Sequence, residues 1–344
     1  MARLGYVFDP LYLEHGTPGH PERPERLVAI LEHLRKSGLL DLMTAIPARD
    51  ASHAELELVH SADLIARIRA KAEEGGGWLD WDTYIVPASY AAARRAAGGC
   101  LAALEAVLSG QVEAALCLVR PPGHHATPDT AMGFCLFNNV AIAARAALEA
   151  GGLERVAIVD FDVHHGNGTQ DAFYREPRVL FFSTHQYPLY PGTGYWAEKG
   201  EGEAEGTTVN VPLPRGSRSD EYLRTYREVC VPVLRRFRPQ LILVSAGFDA
   251  HFADPLANML LSSRGYYGIA AILWELAQEL CQGRLILSLE GGYDLMALGW
   301  SVGAVVEAIL ERPLTPDPLG EGPNVPAPDI DVVLRAVKRA HGLE

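Results

Sequence analysis

Short segments with no polar alternation are the feature that most constrains the fold of this chain. Leu241-Ile-Leu-Val-Ser245 and Leu285-Ile-Leu-Ser-Leu289 do not alternate between apolar and polar residues, as the strands of a half-exposed sheet do. Strands of this kind are typical of parallel sheets whose two faces are both covered. Longer segments with helical periodicity separate them, so the order of the segments predicts an α/β fold with a mainly parallel sheet and helices on both faces.

The same patterns predict the individual elements and a single domain. Strands are predicted over residues 3–8, 114–119, 155–163, 179–184, 208–213, 241–248 and 284–289. Helices are predicted over residues 22–37, 61–74, 87–109, 138–149, 220–236, 263–281, 294–311 and 330–341. No linker interrupts the chain before the proline-rich residues 312–328, so we predict one domain over residues 1–344, on which this strap and the last helix pack.

The charge balance and the cysteines exclude several classes of protein. A formal net charge of -13 without a dense tract of lysine and arginine disfavours nucleic acids as partners and favours cationic substrates. The five cysteines contain no C-x-x-C pair, which argues against a disulfide framework and a thiolate zinc site. No apolar stretch reaches the ~18 residues of a membrane span and no signal-peptide core is present, so we expect a cytoplasmic protein with no membrane partner.

Polar side chains are concentrated where the predicted strands end. Asp160, Asp162 and His164 alternate along the end of one strand and therefore point to the same side. Three other strands lead into His124-His125, Asp249 and the segment 290–294, which contains Tyr293. Each piece alone also fits a turn, a helix cap or a packed aromatic residue. All of them fall at the carboxyl edge of the sheet, however, where ligands bind in open α/β folds, and this coincidence favours a functional site.

The residue types at this edge suit a catalytic metal centre. Asp162, His164 and Asp249 offer two carboxylates and one imidazole, which could hold a divalent ion and leave a coordination position open for water. Zn²⁺, Fe²⁺ and Co²⁺ all accept such a ligand set. His124 and His125 could then act as general base and acid, and Tyr293 could donate a hydrogen bond to a developing oxyanion.

Five motifs together resemble the histone deacetylase family, and the resemblance extends in the family's order from residue 20 to residue 293. The motifs are Arg120-Pro-Pro-Gly-His-His-Ala126, Met132-Gly-Phe-Cys-Leu-Phe-Asn-Asn139, Asp160-Phe-Asp-Val-His-His-Gly-Asn-Gly-Thr-Gln170, Ser245-Ala-Gly-Phe-Asp249 and Leu289-Glu-Gly-Gly-Tyr293. The resemblance implies the open α/β fold shared with arginase, with about eight strands. It also implies zinc-dependent removal of acetyl or other acyl groups from lysine side chains or from polyamines, by attack of a metal-bound water.

The resemblance also implies roles for individual residues. Asp162, His164 and Asp249 look like the zinc ligands, and Tyr293 like the hydroxyl that holds the substrate carbonyl. Two further imidazoles and their partners complete the implied catalytic set: His125 as the base, His124 as its paired imidazole, Asp160 as the group that orients His124, and Asn167 where one branch of the family has a second aspartate. Asn167, and a glutamate before Gly291-Gly292, resemble the residues at these positions in the class II branch.

A substrate tunnel and a monovalent-cation site follow from the same resemblance. The positions that match the tunnel are Gly133, Phe134, Tyr190, Leu256, Gly291 and Gly292, and the family's usual phenylalanine is replaced by tyrosine at residue 190. The positions that match a K⁺ or Na⁺ site are Asp160, Asp162, His164, Ser183 and Thr184. Arg23 could belong to an interior product channel or form a structural ion pair.

Three other functions stay open at this point. An acetylpolyamine deacetylase would favour a carboxylate at the tunnel mouth, where this chain has Leu256, although Asp80 and Asp82 lie in a loop that also faces the expected mouth. An arginase-type enzyme with two manganese ions lacks its bridging carboxylates, because Gly166 and His251 occupy their positions. A non-catalytic acyl-lysine binder would not need the tyrosine and the histidine pair.

Overall fold

Eight parallel strands form one sheet in the computed structural model, which describes residues 3–16 and 18–343. The strand order is β2-β1-β5-β10-β9-β6-β7-β8, and β3 pairs with β4 in a separate antiparallel hairpin. The strands are β1 (Leu4–Val7), β2 (Thr44–Ile46), β3 (Gly77–Trp78), β4 (Tyr84–Ile85), β5 (Ala114–Cys117), β6 (Val156–Asp160), β7 (Val179–Gln186), β8 (Thr208–Leu213), β9 (Leu241–Ala246) and β10 (Leu285–Leu289).

Eleven α-helices are present in the described part of the chain, and several begin at a polar residue that caps them. The helices are α1 (Glu25–Lys36), α2 (His53–Leu56), α3 (Ala62–Glu73), α4 (Ser89–Leu108), α5 (Asn139–Glu149), α6 (Asn167–Phe173), α7 (Ser219–Thr225), α8 (Val231–Phe237), α9 (Ser263–Cys281), α10 (Leu295–Ile309) and α11 (Asp331–His341). The side chains of Asn138 and Asp294 accept backbone N–H groups in the first turns of α5 and α10, which satisfies donors that have no partner within the helix.

The α/β fold with a parallel sheet is the predicted one, and the differences lie at its margins. The edge strand β2 was not predicted, because two of its three residues are exposed and the segment forms no apolar run. The helix predicted over residues 220–236 contains a π-helical segment, Tyr226–Cys230, between α7 and α8. The strand predicted over residues 155–163 leaves the sheet after Asp160, and its last residues form a loop instead.

Four adjacent strands at the centre of the sheet position the polar residues described above. Every residue of β5, β6, β9 and β10 is buried, as the lack of alternation predicted. These strands lie side by side in the order β5-β10-β9-β6 and run in the same direction, so their carboxyl ends meet. Side chains from four distant parts of the sequence therefore come together at one edge.

The proline-rich strap crosses one side of the molecule and leads into α11. Glu321 in the strap accepts hydrogen bonds from the Ser262 hydroxyl at 2.9 Å and from Arg264 Nε at 3.1 Å. The guanidinium of Arg218 donates to the carbonyl oxygen of Val325 at 2.9 Å. Across the described residues, no helix has the length and apolar character needed to cross a lipid bilayer.

Candidate active site

Three side chains at the carboxyl edge form a group with the dimensions of a metal centre. One potential ligand atom from each of Asp162, His164 and Asp249 lies within 4.8 Å of the others. His164 Nδ1 is 3.1 Å from Asp162 Oδ1 and 3.2 Å from Asp249 Oδ2. The structure thus brings the three residues together from the ends of β6 and β9.

The remaining carboxylate oxygens show that this group suits a cation. Asp162 Oδ2 accepts the backbone N–H of Gly291 at 2.8 Å, and Asp249 Oδ1 accepts that of Val163 at 2.9 Å. Asp249 Oδ2 is buried and accepts no hydrogen bond, although His164 Nδ1 lies 3.2 Å away. Because a buried carboxylate oxygen without a partner is costly, the site fits a bound cation with oxygen and nitrogen ligands.

Two imidazoles lie beside this group, and each is oriented by a different partner. His124 Nδ1 lies 3.0 Å from Asp160 Oδ2, whereas His125 Nδ1 lies 2.8 Å from the amide oxygen Oδ1 of Asn167. Their ring centroids are 4.0 Å apart, and both side chains are buried. All four residues therefore occupy the arrangement that the resemblance implies, with a carboxylate behind one ring and an amide behind the other.

The surroundings shift the pKa values of the two imidazoles in opposite directions. Burial lowers the pKa of His124, but the carboxylates of Asp162 and Asp160 outweigh it and raise that pKa to about 10. Burial lowers the pKa of His125 well below its usual value, and the neighbouring His124 and His164 lower it further. A pair of titratable groups whose pKa values are pushed apart is typical of an acid and base assignment, and here it makes His125 the neutral ring.

Tyr293 follows two glycines, and the carboxylates of Asp162 and Asp249 require the first of them. A Cβ atom on Gly291 would lie 2.0 Å from Asp249 Oδ2 and 2.6 Å from Asp162 Oδ2, so no other residue fits there. Gly292 has a φ of +115°, which few residues other than glycine adopt. This close approach places Tyr293 directly beside the metal-centre group.

A buried arginine fixes the loop that carries Tyr293. Arg26 Nε donates to the carbonyl oxygen of Gly292 at 2.6 Å, and its Nη2 donates to the carbonyl oxygen of Glu290. The guanidinium carbon also lies 5.0 Å from the centroid of the Tyr293 ring, within the range of a cation–π contact. Arg23, for which the sequence left open an interior channel or a structural ion pair, has an exposed side chain, whereas Arg26 is buried.

Glu290 fixes the loop that carries the two histidines. Its Oε2 accepts the backbone N–H groups of Gly123 at 2.6 Å and His124 at 3.2 Å. His124, Cys135 and Glu290 also form a second group of potential ligand atoms within 4.8 Å. Burial raises the pKa of the Cys135 thiol well above its usual value, and this thiol donates to the carbonyl oxygen of Gly133 at 3.4 Å.

A cavity of about 230 Å³ leads from the surface to these groups. Its lining includes most of the residues predicted for a tunnel, namely Gly133, Phe134, Tyr190, Leu256 and Gly291. Gly292 is not part of the lining, because a side chain at this position would point towards Phe248 and Leu298 instead. The cavity is also lined by Trp81, Pro122 and Leu189, which the sequence does not predict there, and by Asp82, which lies in a loop expected near its mouth.

Two aromatic side chains form opposite walls of this cavity. Phe134 has a φ of +69°, an unusual conformation for an aromatic residue, and follows Gly133, where a Cβ would lie 2.5 Å from the ring of His125. The Tyr190 ring meets the His125 ring edge-on, with centroids 5.1 Å apart. The Tyr190 hydroxyl oxygen is buried and has no hydrogen-bond partner, so it is free to contact a bound molecule.

The residues expected around a monovalent cation are neighbours beneath the site. Asp160 at the end of β6 is in register with Ser183 of β7. The Ser183 hydroxyl lies 2.9 Å from His185 Nδ1, and the Thr184 hydroxyl lies 3.5 Å from the carbonyl oxygen of Asp160. The loop with Asp162 and His164 begins at the same point, so the structure places the five predicted residues in one region.

Arg26 belongs to a buried ion cluster with Glu22 and Arg120. Arg26 Nη1 donates to Glu22 Oε1 at 2.9 Å, and Arg120 Nη2 donates to Glu22 Oε2 at 2.6 Å. Burial raises the pKa of Glu22, but the guanidinium groups of Arg120 and Arg26 outweigh it and hold that pKa well below its usual value. The carboxylate therefore stays ionised and bridges two buried guanidinium groups.

Replacing Glu22 with glutamine is expected to lower the free energy of unfolding by about 3–5 kcal/mol at neutral pH, because two buried guanidinium groups lose their counter-ion. Since the folded pKa of Glu22 is lowered, its stabilising effect is complete above about pH 4.3 and decreases as the pH falls below that value. Urea unfolding of both proteins at pH 7 and pH 4 would measure this.

Glu32→Gln is the matched control, because Glu32 forms an exposed pair with Lys36 on α1. We expect this substitution to change the free energy of unfolding by less than about 0.5 kcal/mol. Equal stability of the Glu22 and Glu32 variants would contradict the importance of the buried cluster.

Comparison with known proteins gives consistent matches over most of the chain. The family description "Histone deacetylase domain" matches residues 20–309. A protein of Archaeoglobus fulgidus named "Probable deacetylase" is 43% identical over 85% of this chain and 81% of its own length. A "Histone deacetylase-like amidohydrolase" of Pseudomonas aeruginosa is 42% identical over 89% of this chain and 86% of its own length.

A solved structure shows the same fold. The crystal structure titled "HDA15 HD domain" superposes with a TM-score of 0.89 at 35% sequence identity. The superposition covers 99% of this chain and 94% of the other. The fold of the eight-stranded sheet and its helices is therefore shared over almost all of both chains.

Proposed function

The chain belongs to the histone deacetylase family, and on this premise we propose that it is a metal-dependent amidohydrolase that removes acetyl or other acyl groups from lysine side chains. The similarity to deacetylases and to an amidohydrolase supports deacetylase activity in general. Metal dependence and a lysine substrate are proposed in addition to this general activity.

One observation carries the proposal. Asp162, His164 and Asp249 converge, and the buried Oδ2 atom of Asp249 accepts no hydrogen bond. The cavity at this group also reaches His125 and Tyr293. These three side chains would hold Zn²⁺, or alternatively Fe²⁺ or Co²⁺. A bound ion would supply a Lewis acid that polarises an amide carbonyl and acidifies water.

The protein's own groups then have separate tasks. His125, kept neutral by burial and by the neighbouring protonated His124, accepts a proton from the attacking water, and Asn167 holds its ring in place. His124 remains protonated against Asp160 and lies next to His125. The Tyr293 hydroxyl donates a hydrogen bond to the oxyanion that develops on the substrate, and a protonated imidazole donates to the leaving amine.

The cavity suits the aliphatic stem of a lysine side chain. Phe134, Tyr190 and Leu256 provide apolar walls for a chain of methylene groups. Leu256 stands where a carboxylate would pair with the distant ammonium group of a polyamine, and this favours a peptide or protein that carries acyl-lysine. Asp82 also lines the cavity, and this specific contact supports acetylated polyamines as the second candidate substrates.

We expect an acetyl-lysine peptide to be hydrolysed with a kcat/KM at least ~10-fold higher than that of acetylputrescine, a difference of about 1.4 kcal/mol in transition-state binding. Both substrates would be assayed with the same metal-replete protein. A preference for acetylputrescine would replace the lysine proposal with the polyamine one.

Removal of the metal is the second part of this experiment. A chelator is expected to abolish hydrolysis of the preferred substrate, and addition of Zn²⁺ to restore it, because water at neutral pH is a poor nucleophile without a Lewis acid. Full activity after complete removal of metal would contradict metal dependence. Tight binding of the peptide without any hydrolysis by metal-replete protein would favour a non-catalytic binder.

Two further proposals complete this function. A K⁺ or Na⁺ ion at Asp160, Asp162, His164, Ser183 and Thr184 would stiffen the loop that carries the metal-centre residues, and the register of β6 with β7 supports it. We also propose that the protein acts in the cytoplasm.

A further inference from the structure

Asp254 lies between two parts of the candidate active site without belonging to either. It is in the loop after β9, and its side chain is only 7% exposed. The same loop continues to Leu256, which lines the mouth of the cavity. Tyr293 is next to Asp254 in space although 39 residues separate the two.

The Asp254 carboxylate joins these two parts by accepting backbone N–H groups. Its Oδ2 accepts the N–H of Tyr293 at 2.6 Å and that of Asp294 at 3.4 Å. Its Oδ1 accepts the N–H of Leu256 at 3.0 Å. The short bond to the Tyr293 N–H is the most direct contact that any described side chain makes with the backbone of this tyrosine.

A purely structural ion pair does not account for this residue. Among residues 3–16 and 18–343, no lysine, arginine or histidine forms a salt bridge with Asp254. The bond to Leu256 closes an ordinary local turn, but the bond to Tyr293 reaches across to the loop after β10. The carboxylate thus acts on the Tyr293 loop specifically.

Asp254 completes the anchoring of the Tyr293 loop. The glycines before the tyrosine leave its backbone flexible, although Asp162 accepts the Gly291 N–H and Arg26 binds two carbonyl groups of the loop and contacts the Tyr293 ring. On the other side, Asp294 caps the start of α10. The N–H of Tyr293 adjoins the Cα from which its side chain begins, and Asp254 binds this N–H directly.

We propose that Asp254 is a positioning residue for Tyr293: it sets the position of the tyrosine hydroxyl over the reacting carbonyl and connects it to Leu256 at the cavity mouth. This role rests on the proposed function, because it matters only if Tyr293 acts on an acyl substrate. A shift of about 1 Å in a group that contacts the transition state costs ~10²-fold in rate. The effect should therefore fall on kcat.

The experiment compares Asp254→Ala and Asp254→Asn with the wild-type protein on the same acetylated substrate. Alanine removes both acceptor oxygens, so kcat is expected to fall ~10²-fold while KM and bound metal change less than about threefold. Asparagine keeps one acceptor oxygen and should restore part of kcat. Asp317→Asn is the matched control, because Asp317 accepts two backbone N–H groups in the strap, and its kcat should equal that of the wild type.

A double-variant cycle with Tyr293→Phe separates positioning from a general structural role. In the Tyr293→Phe background there is no hydroxyl to position, so Asp254→Ala should lower the remaining activity by less than about threefold. Equal fold losses in both backgrounds would overturn the proposal, as would failure of both Asp254 variants to fold in a melting experiment. If only the alanine variant fails to fold, the cycle is run with Asp254→Asn.

The outcomes also distinguish this role from the proposed function. Wild-type protein that hydrolyses acyl-lysine, together with Asp254 variants of unchanged kcat, would overturn only the role of Asp254. Wild-type protein that hydrolyses neither acetyl-lysine nor acetylpolyamine would overturn the proposed function, and the role of Asp254 with it.

Discussion

Asp249→Ala is expected to reduce hydrolysis of an acetyl-lysine peptide to background and to lower the metal content of the purified protein. The substitution removes one of the three side chains that meet within 4.8 Å, including the buried oxygen that accepts no hydrogen bond. Changes in residues that only support metal ligands already cost 10–100-fold, so loss of a ligand itself should cost at least ~10²-fold. Elemental analysis and initial rates on the same sample measure both effects.

Asp220→Ala controls for the loss of a carboxylate elsewhere. Asp220 pairs with Arg264 on the surface at 3.0 Å, where its removal should change neither metal content nor rate. Asp249→Ala protein that retains its activity would remove the metal mechanism. Lost activity with full metal content would instead assign Asp249 a role other than holding the ion.

Tyr293→Phe is expected to lower kcat by ~10²-fold or more with unchanged metal content. The substitution removes only the hydroxyl, which is the donor proposed to stabilise the developing oxyanion, and loss of one such donor typically costs about 10²–10³-fold in kcat. The ring still packs against Arg26 and Phe134, so the loop should keep its position. Steady-state kinetics and metal analysis of the variant test this.

Tyr195→Phe is the corresponding control, because Tyr195 is 44% exposed and lies outside the cavity lining. We expect its kcat to match that of the wild type. Near-wild-type turnover by Tyr293→Phe would show that another group stabilises the oxyanion. A large rise in KM with unchanged kcat would assign Tyr293 to substrate binding alone.

The sequence predicts the centre of this fold well because local pattern and tertiary structure agree there. β9 and β10 are buried on both faces, so their composition alone identifies them as central strands. Asp160, Asp162 and His164 were recognisable because Asp160 ends β6 and the other two continue the alternation beyond it. The edge strand β2 has neither signal, since only Ile46 of its three residues is buried.

The residues that support the site were harder to predict, because their partners are distant in the sequence. Arg26 contacts the carbonyl groups of Glu290 and Gly292, more than 260 positions away, and no local pattern distinguishes it from Arg23. Asp254 acts through backbone N–H groups, whose positions do not depend on side-chain identity. Trp81, which is 77% exposed, lies in a loop that only the fold brings to the cavity.

The anchoring of the Tyr293 loop by α1 has a consequence for protein engineering. Glu22 and Arg26 lie near the amino terminus, yet they hold a loop that follows the last strand of the sheet. A shortened version that starts after α1 would keep the four central strands and lose the clamp on its tyrosine. Affinity tags, fusion partners and truncations at this end of the chain should therefore be judged by turnover as well as by yield and solubility.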